Sequence, residues 1–137
     1  MIFENRFPKL ASACLGLSSL LVVSALAGAA HAEDLENGAS VFRKCRACHD
    51  VGPAAKNKVG PHLNGVFGRT AGSVAGFNYS SAMSAAGTKK LVWDEETLNG
   101  YLEQPTTYLP KNKMAFAGIK DEKDRADLIA FLKTLKP

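Results

Sequence analysis

Between Asp50 and Val92 the chain carries no sustained hydrophobic period, and this stretch limits the possible folds more than any other feature. Gly52-Pro53, Gly60-Pro61, Gly65, Gly68, Gly72, Gly76 and Gly87 interrupt it, so it reads as loops with short helical turns. A connection of roughly forty residues is out of proportion to an ordinary domain, unless something besides protein fills the core.

The flanks are regular. From Asp34 to His49 the apolar residues Leu35, Ala39, Phe42, Cys45 and Cys48 recur at three-to-four spacing, which predicts one helix. Gly38 weakens that helix and marks close contact with another element. Asp94-Glu95-Glu96 opens a second helix, with Asp94 as N-cap and the acids at the positive end of the dipole. It carries Leu98, Tyr101 and Leu102 inward and stops before Pro105, where a loop to Gly118 begins. The last helix is predicted from about Asp121 to Leu135, with Leu128, Ile129, Leu132 and Leu135 on one face and Lys133 and Lys136 at its end. No alternating run of β-branched residues supports a sheet. The expected fold is all-α: three main helices and long glycine-rich loops.

The domain is also shorter than the 137-residue chain. Arg6 and Lys9 precede an uncharged run from Leu10 to Ala30, which ends in Ala30-His31-Ala32. A basic start, an apolar middle and small residues at the cleavage point describe a secretory signal. An uncleaved anchor is the rival, since the run is long enough to span a bilayer. Its Ala, Ser and Gly content and the Ala-His-Ala site favour the signal. A lipid-modified cysteine would follow the run, whereas Cys14 stands near its front. The division expected is therefore a signal over 1–32 and one domain over 33–137. Cutting 32 residues from 137 leaves 105, and the net charge falls from +4 to +3. With 22% charged residues and a mean hydropathy of −0.07, neither a disordered chain nor a multi-spanning one fits. A chain this size buries only about 65% of its unfolded surface, so an added core component is expected.

Cys45 and Cys48 are the two cysteines left after cleavage. A disulfide between them would close a very short loop and remove little chain entropy. Cys45-Arg46-Ala47-Cys48-His49 is instead the C-x-x-C-H pattern of c-type haem attachment. On a helix, positions i and i+3 share a face, so both thiols can reach the vinyl groups along one side of a porphyrin. His49, next in the chain, then projects toward the iron as an axial ligand. A thioredoxin-like pair would need a βαβ context, which is missing. A structural zinc site would need four ligands, and His62 is the only other histidine after the signal. His62 follows the bend at Pro61 and reads as a surface residue.

With that motif in place, the chain resembles a class I c-type cytochrome, similar to mitochondrial cytochrome c and the soluble cytochromes c of purple and related bacteria. The likeness covers essentially residues 34 to 136. It rests further on Gly60-Pro61-His62-Leu63-Asn64-Gly65-Val66-Phe67-Gly68-Arg69, on Gly76-Phe77-Asn78-Tyr79 and on Trp93-Asp94-Glu95-Glu96-Thr97-Leu98. The segment Tyr108-Leu109-Pro110-Lys111-Asn112-Lys113-Met114-Ala115-Phe116-Ala117-Gly118 completes it. The resemblance implies one covalently bound haem c and makes Met114 the second axial ligand, opposite His49. It makes Pro61 the acceptor for the free imidazole N–H. Tyr79 and Trp93 match donors to a haem propionate, with Arg69 in the same region. Tyr101 and Asn112 match polar residues near the methionine sulfur. Gly38, Phe42, Leu128 and Phe131 match the contact between the first and last helices.

A lone Met in a small protein is usually a gap-filler. An iron with one strong ligand and a loop able to present sulfur change that for Met114, while Met83 reads as packing. Two axial ligands leave no open site for oxygen, and a thioether favours ferrous iron. The function expected is therefore one-electron transfer rather than catalysis: a soluble periplasmic carrier between a cytochrome bc complex and an oxidase, reductase or photosynthetic reaction centre. A peroxidase or sensor acting when Met114 dissociates, and a dedicated dehydrogenase subunit, are the rival readings. The resemblance places Lys44, Lys113 and Lys120 around a haem edge that docks on acidic membrane complexes, with a monomer and only peripheral membrane contact. No nucleic acid is implied. Thr106 and Thr107 stand where the family often has lysines, and Ser84 to Val92 looks longer than usual; both bear on docking and tuning.

Overall fold

The computed structural model describes residues 32–137. The export signal read over 1–32 therefore lies outside the described residues, apart from Ala32.

Among the described residues five helices form, each with a local cause. Helix α1 (Leu35–Phe42) starts at Asp34, whose carboxylate accepts the Glu36 and Asn37 N–H groups. Helix α2 (Ser81–Thr88) is capped by the Ser80 hydroxyl, which accepts from Met83 N. Helix α3 (Glu95–Glu103) has a reciprocal capping box between Asp94 and Thr97. Helix α4 (Pro105–Tyr108) has proline in its first turn, where a missing N–H does no harm. Helix α5 (Glu122–Thr134) is capped by Asp121. Among the described residues the only β feature is an antiparallel bridge, Thr70 to Val92.

The predicted helices are found, with three differences. The first stops at Phe42 rather than running to His49. Beyond it the amides of Arg43, Lys44 and Cys45 bond carbonyls three residues back, which tightens the chain into successive turns. The predicted loop after Pro105 opens with α4, because a proline that ends one helix also suits the start of another. Ser84 to Thr88, expected as part of a lengthened loop, lies within α2.

Helices α1 and α5 pack against each other, and α3 packs on α5 and carries α4. Gly38 makes the first joint possible. A Cβ there would collide with the backbone of Asp127 and sit 2.9 Å from Phe131 Cβ. Phe42 meets Phe131 with ring centroids 5.3 Å apart, and Phe42 and Leu128 are fully buried. Buried Asp127 clamps the joint by accepting from Asp34 N at 2.9 Å, Asn37 Nδ2 at 2.7 Å and Lys123 Nζ at 2.6 Å. Burial pushes its carboxyl pKa up, but these three donors outweigh that and hold it at about 2. Arg125, also buried, donates to the carbonyls of Ile119 and Lys120 and to Asn99 Oδ1, fixing the entry to α5. The long glycine-rich stretch is pinned at its end by Gly68 N to Trp93 O, Trp93 N to Arg69 O and Ala71 N to Leu91 O.

Candidate functional site

The regular elements surround a mostly apolar cavity of about 400 Å³. Phe42, Trp93, Leu98 and Leu128 belong both to its wall and to the core, so the cavity is the middle of the fold and not a surface dent. Cys45, Cys48, His49 and Met114 all reach the same cavity.

The turn after α1 delivers three of them. Cys48 N and His49 N both bond Cys45 O, at 3.1 and 2.9 Å, so one tight turn holds both thiols and the imidazole. The thiols are free and half-buried. Burial pushes the Cys45 thiol up to about 11 against the opposing pull of Lys44.

His49 is held by backbone. Its Nδ1 lies 2.7 Å from Pro61 O, and a carbonyl can only accept, so Nδ1 carries the proton and Nε2 keeps a lone pair. Gly60 lies flat against the ring, and a Cβ there would overlap it. Gly60 N in turn donates to Cys48 O at 2.7 Å. Burial lowers the imidazole pKa, the Pro61 bond opposes that, and Arg69 and Lys58 add to the lowering. The ring is therefore neutral, the form that ligates metal.

Met114 is held by side chains. Its N donates to Asn112 Oδ1 at 2.7 Å, and Asn112 Nδ2 donates to Pro105 O and Leu109 O at 2.9 and 2.8 Å. Tyr101 Oη stands 3.9 Å from Met114 Sδ and 3.4 Å from Asn112 Oδ1. Burial pushes the Tyr101 hydroxyl up to about 12, which keeps it a donor. Its ring packs against Trp93 at 4.9 Å. Tyr101 Oη thus lies beside the methionine sulfur, while Asn112 holds the Met114 backbone amide.

Arg69, Tyr79 and Trp93 line the cavity as well. Arg69 donates to Asn64 O at 2.9 Å and His62 O at 3.2 Å, and Tyr79 Oη accepts from Val74 N at 3.3 Å. Burial lowers the Arg69 pKa and raises that of Tyr79, and each group partly offsets the other. His62, expected at the surface, is half-buried, with an Nδ1 that has no hydrogen-bond partner. Met83 packs against the core, as expected of a packing residue, and also reaches the cavity wall.

The three lysines expected to dock partners are less free than the sequence suggests. Lys113 Nζ donates to Asn78 O and Tyr79 O, Lys120 Nζ donates to Glu103 O, and Lys44 Nζ lies 3.9 Å from Asp124. Sequence reasoning missed these bonds, and it missed the role of Gly60 as more than a turn residue.

These groups fit a haem. The walls are apolar, two thiols and a neutral imidazole share one edge, and a thioether is on the wall. An α-helical domain built around such a cavity, with C-x-x-C-H in its wall, is a c-type haem protein. The family described as cytochrome c matches residues 35–136, and the chain belongs to it. It is 52% identical over 118 residues to cytochrome c2 of Rhodomicrobium vannielii, covering 86% of this chain and 90% of that protein. It is 49% identical over 100 residues to cytochrome c of Stellaria longipes, covering 72% and 90%. The solved structure of cytochrome c2 from Rhodospirillum centenum superposes with a TM-score of 0.72 at 42% identity, covering 76% of this chain and 99% of that one. The cofactor is one covalently bound haem c, and the protein is an electron carrier, not an enzyme.

Proposed function

We propose that this is a soluble periplasmic one-electron shuttle between membrane complexes, from a cytochrome bc complex to an oxidase, reductase or photosynthetic reaction centre. Bound haem supplies reversible one-electron exchange at iron. With haem bound, His49 and Met114 would hold its iron, Cys45 and Cys48 would anchor it through thioethers, and Arg69, Tyr79 and Trp93 would surround its propionates. The observation that carries this reading is that His49 and Met114 reach one apolar cavity, each already oriented through a neighbour.

Such an arrangement suits fast electron exchange because little must move. His49 is fixed through Pro61 and Gly60, and Met114 through Asn112, so ligand positions are set before any charge changes. The apolar wall keeps water away and disfavours the more charged ferric state. Export rests on the signal read over residues 1–32. Docking at the cavity rim is supported by Lys44 and Lys113, exposed residues that line the cavity, although each also has a partner within the chain.

Two measurements test the proposal. The purified protein should retain haem on a denaturing gel and show a six-coordinate spectrum in both redox states. Reduced protein should be reoxidised by membranes of its own organism, at a rate that falls with salt. Failure of every terminal complex to oxidise it would remove the shuttle.

A further inference from the structure

Three aromatic rings run from the cavity wall to the surface. Trp93 and Tyr101 both line the cavity, with ring centroids 4.9 Å apart. Tyr101 meets Tyr108 edge to face at 6.0 Å, and Tyr108 is 39% exposed. Trp93 and Tyr101 are buried, so the row has one end in the cavity and the other in water. The seat of the outer ring costs helix stability. Gly100 stands inside α3, where glycine is a poor helix former, and a Cβ there would lie 2.7 and 2.9 Å from Tyr108 Cε2 and Cδ2. The missing side chain lets Tyr108 lie against α3 beside Tyr101.

The chemistry of the rings gives the row a direction. Indole and phenol are the most readily oxidised of the aromatic side chains. An oxidised phenol is a strong acid, and it settles as a neutral radical only once its proton has gone to a base. Tyr101 has no good base at hand. Its hydroxyl approaches Asn112 Oδ1 at 3.4 Å and Met114 Sδ at 3.9 Å, a carboxamide and a thioether. Tyr108 is in reach of water, which can take the proton. Burial and then the Asp94 and Glu96 charges raise the Tyr108 pKa, so carboxylates stand near the outer end and favour positive charge there. An oxidising equivalent at the cavity wall is drawn outward.

We propose that Tyr101 and Tyr108, with Trp93 beside them, form a relay that discharges oxidising equivalents from the cavity to solvent when the holoprotein meets hydrogen peroxide. The peroxide takes up two electrons and two protons, its O–O bond breaks, and two waters form. Each electron withdrawn from the cavity is replaced from Tyr108 by way of Tyr101. The Tyr108 O–H proton goes to solvent, which leaves a neutral phenoxyl radical at the surface. A small reductant such as ascorbate resets the phenol by returning one hydrogen atom, so two turns of the relay consume one peroxide. The relay acts in the isolated protein, and it is independent of the shuttle reading and of any partner.

The test treats ferric holoprotein with excess hydrogen peroxide and a nitroso spin trap, with no reductant present. Peptide mass spectrometry locates the trapped radical, and absorbance follows haem bleaching. The parent protein should carry the trap on Tyr108. Tyr101→Phe keeps the ring but removes the oxidisable phenol; it should lose most of the Tyr108 label and bleach faster. Tyr108→Phe should also bleach faster, and Tyr108→Trp, which restores an oxidisable ring at the exposed position, should return to the parent's rate. A parent without label on Tyr108 overturns the relay. So does a Tyr108 label as strong in Tyr101→Phe as in the parent, because the oxidant then reaches Tyr108 directly from solution. Bleaching left unchanged by Tyr108→Phe overturns it as well. Tyr108 is exposed, so its two variants decide the matter even where Tyr101→Phe fails to fold.

Discussion

The two faces of the cavity are built on different principles. On the His49 face the ring is wedged between main-chain atoms: Pro61 O at 2.7 Å on one nitrogen and Gly60 pressed against the plane. On the Met114 face the sulfur is reached by a tyrosine hydroxyl at 3.9 Å, and its loop is held by Asn112 and Lys113 side chains. Backbone wedging cannot relax without moving a whole segment, whereas side-chain restraints can let go one at a time. The His49 face should therefore be stiff and the Met114 face graded, and any ligand exchange in this protein should begin at Met114.

Lesions on either face can break that contrast. The largest effect is expected from Gly60→Ala, which drives a methyl into the imidazole and should destabilise the holoprotein by about 3 kcal/mol in denaturant unfolding. An unchanged midpoint would mean that the His49 face is not wedged. Asn112→Ala comes next, at about 2 kcal/mol, because it leaves two carbonyls and the Met114 N–H without their partner. Its signature should be local, with faster amide exchange in 109–116 and little change around His49. Uniform loss of protection would erase the distinction between the faces.

A pH series probes what lies behind the His49 face, since the thiol turn grows directly out of α1. The Asp127 carboxyl is held at about 2, below its ordinary 3.8, so its contribution is complete above that ordinary value. It is lost as pH falls toward 2 and should remove about 2 kcal/mol over that window. Asp127→Asn should flatten this part of the pH dependence, and a curve of unchanged shape would remove Asp127 from the account. The smallest change is expected of Tyr101→Phe, at under about 1 kcal/mol, because its contacts are long and the ring packing survives. It should appear in the reduction potential before it appears in stability.

Much of this was legible in the sequence where one residue acts on near neighbours. Asp94 and Asp121 announce helix starts because capping is a matter of two or three residues. Gly38 announced a close contact, and the Asp127 backbone is what it meets. The thiols and His49 were legible because their spacing is their chemistry. The first helix was read too long because turns closed three residues back keep nearly the same apolar spacing as a helix. Helix α4 was missed because Pro105 marks a stop and a start with the same letter. The Lys113 bonds were beyond reach: nothing local in Asn112-Lys113-Met114 indicates that carbonyls 34 and 35 residues back lie beside it. The lysine was legible as charge, and its geometry was not.

The α1–α5 joint carries one more consequence, for the order of events as the chain is made. Asp127 accepts from Asp34 N across 93 residues and from Asn37 across 90, so the joint cannot close until nearly the whole polypeptide has emerged. Closing so long a loop is an entropic barrier that short-range contacts do not share. Until α5 arrives, the α1 that leads into the turn holding Cys45 and Cys48 has no helix behind it. The same distant pairing that seals the finished molecule thus sets a waiting period during its making.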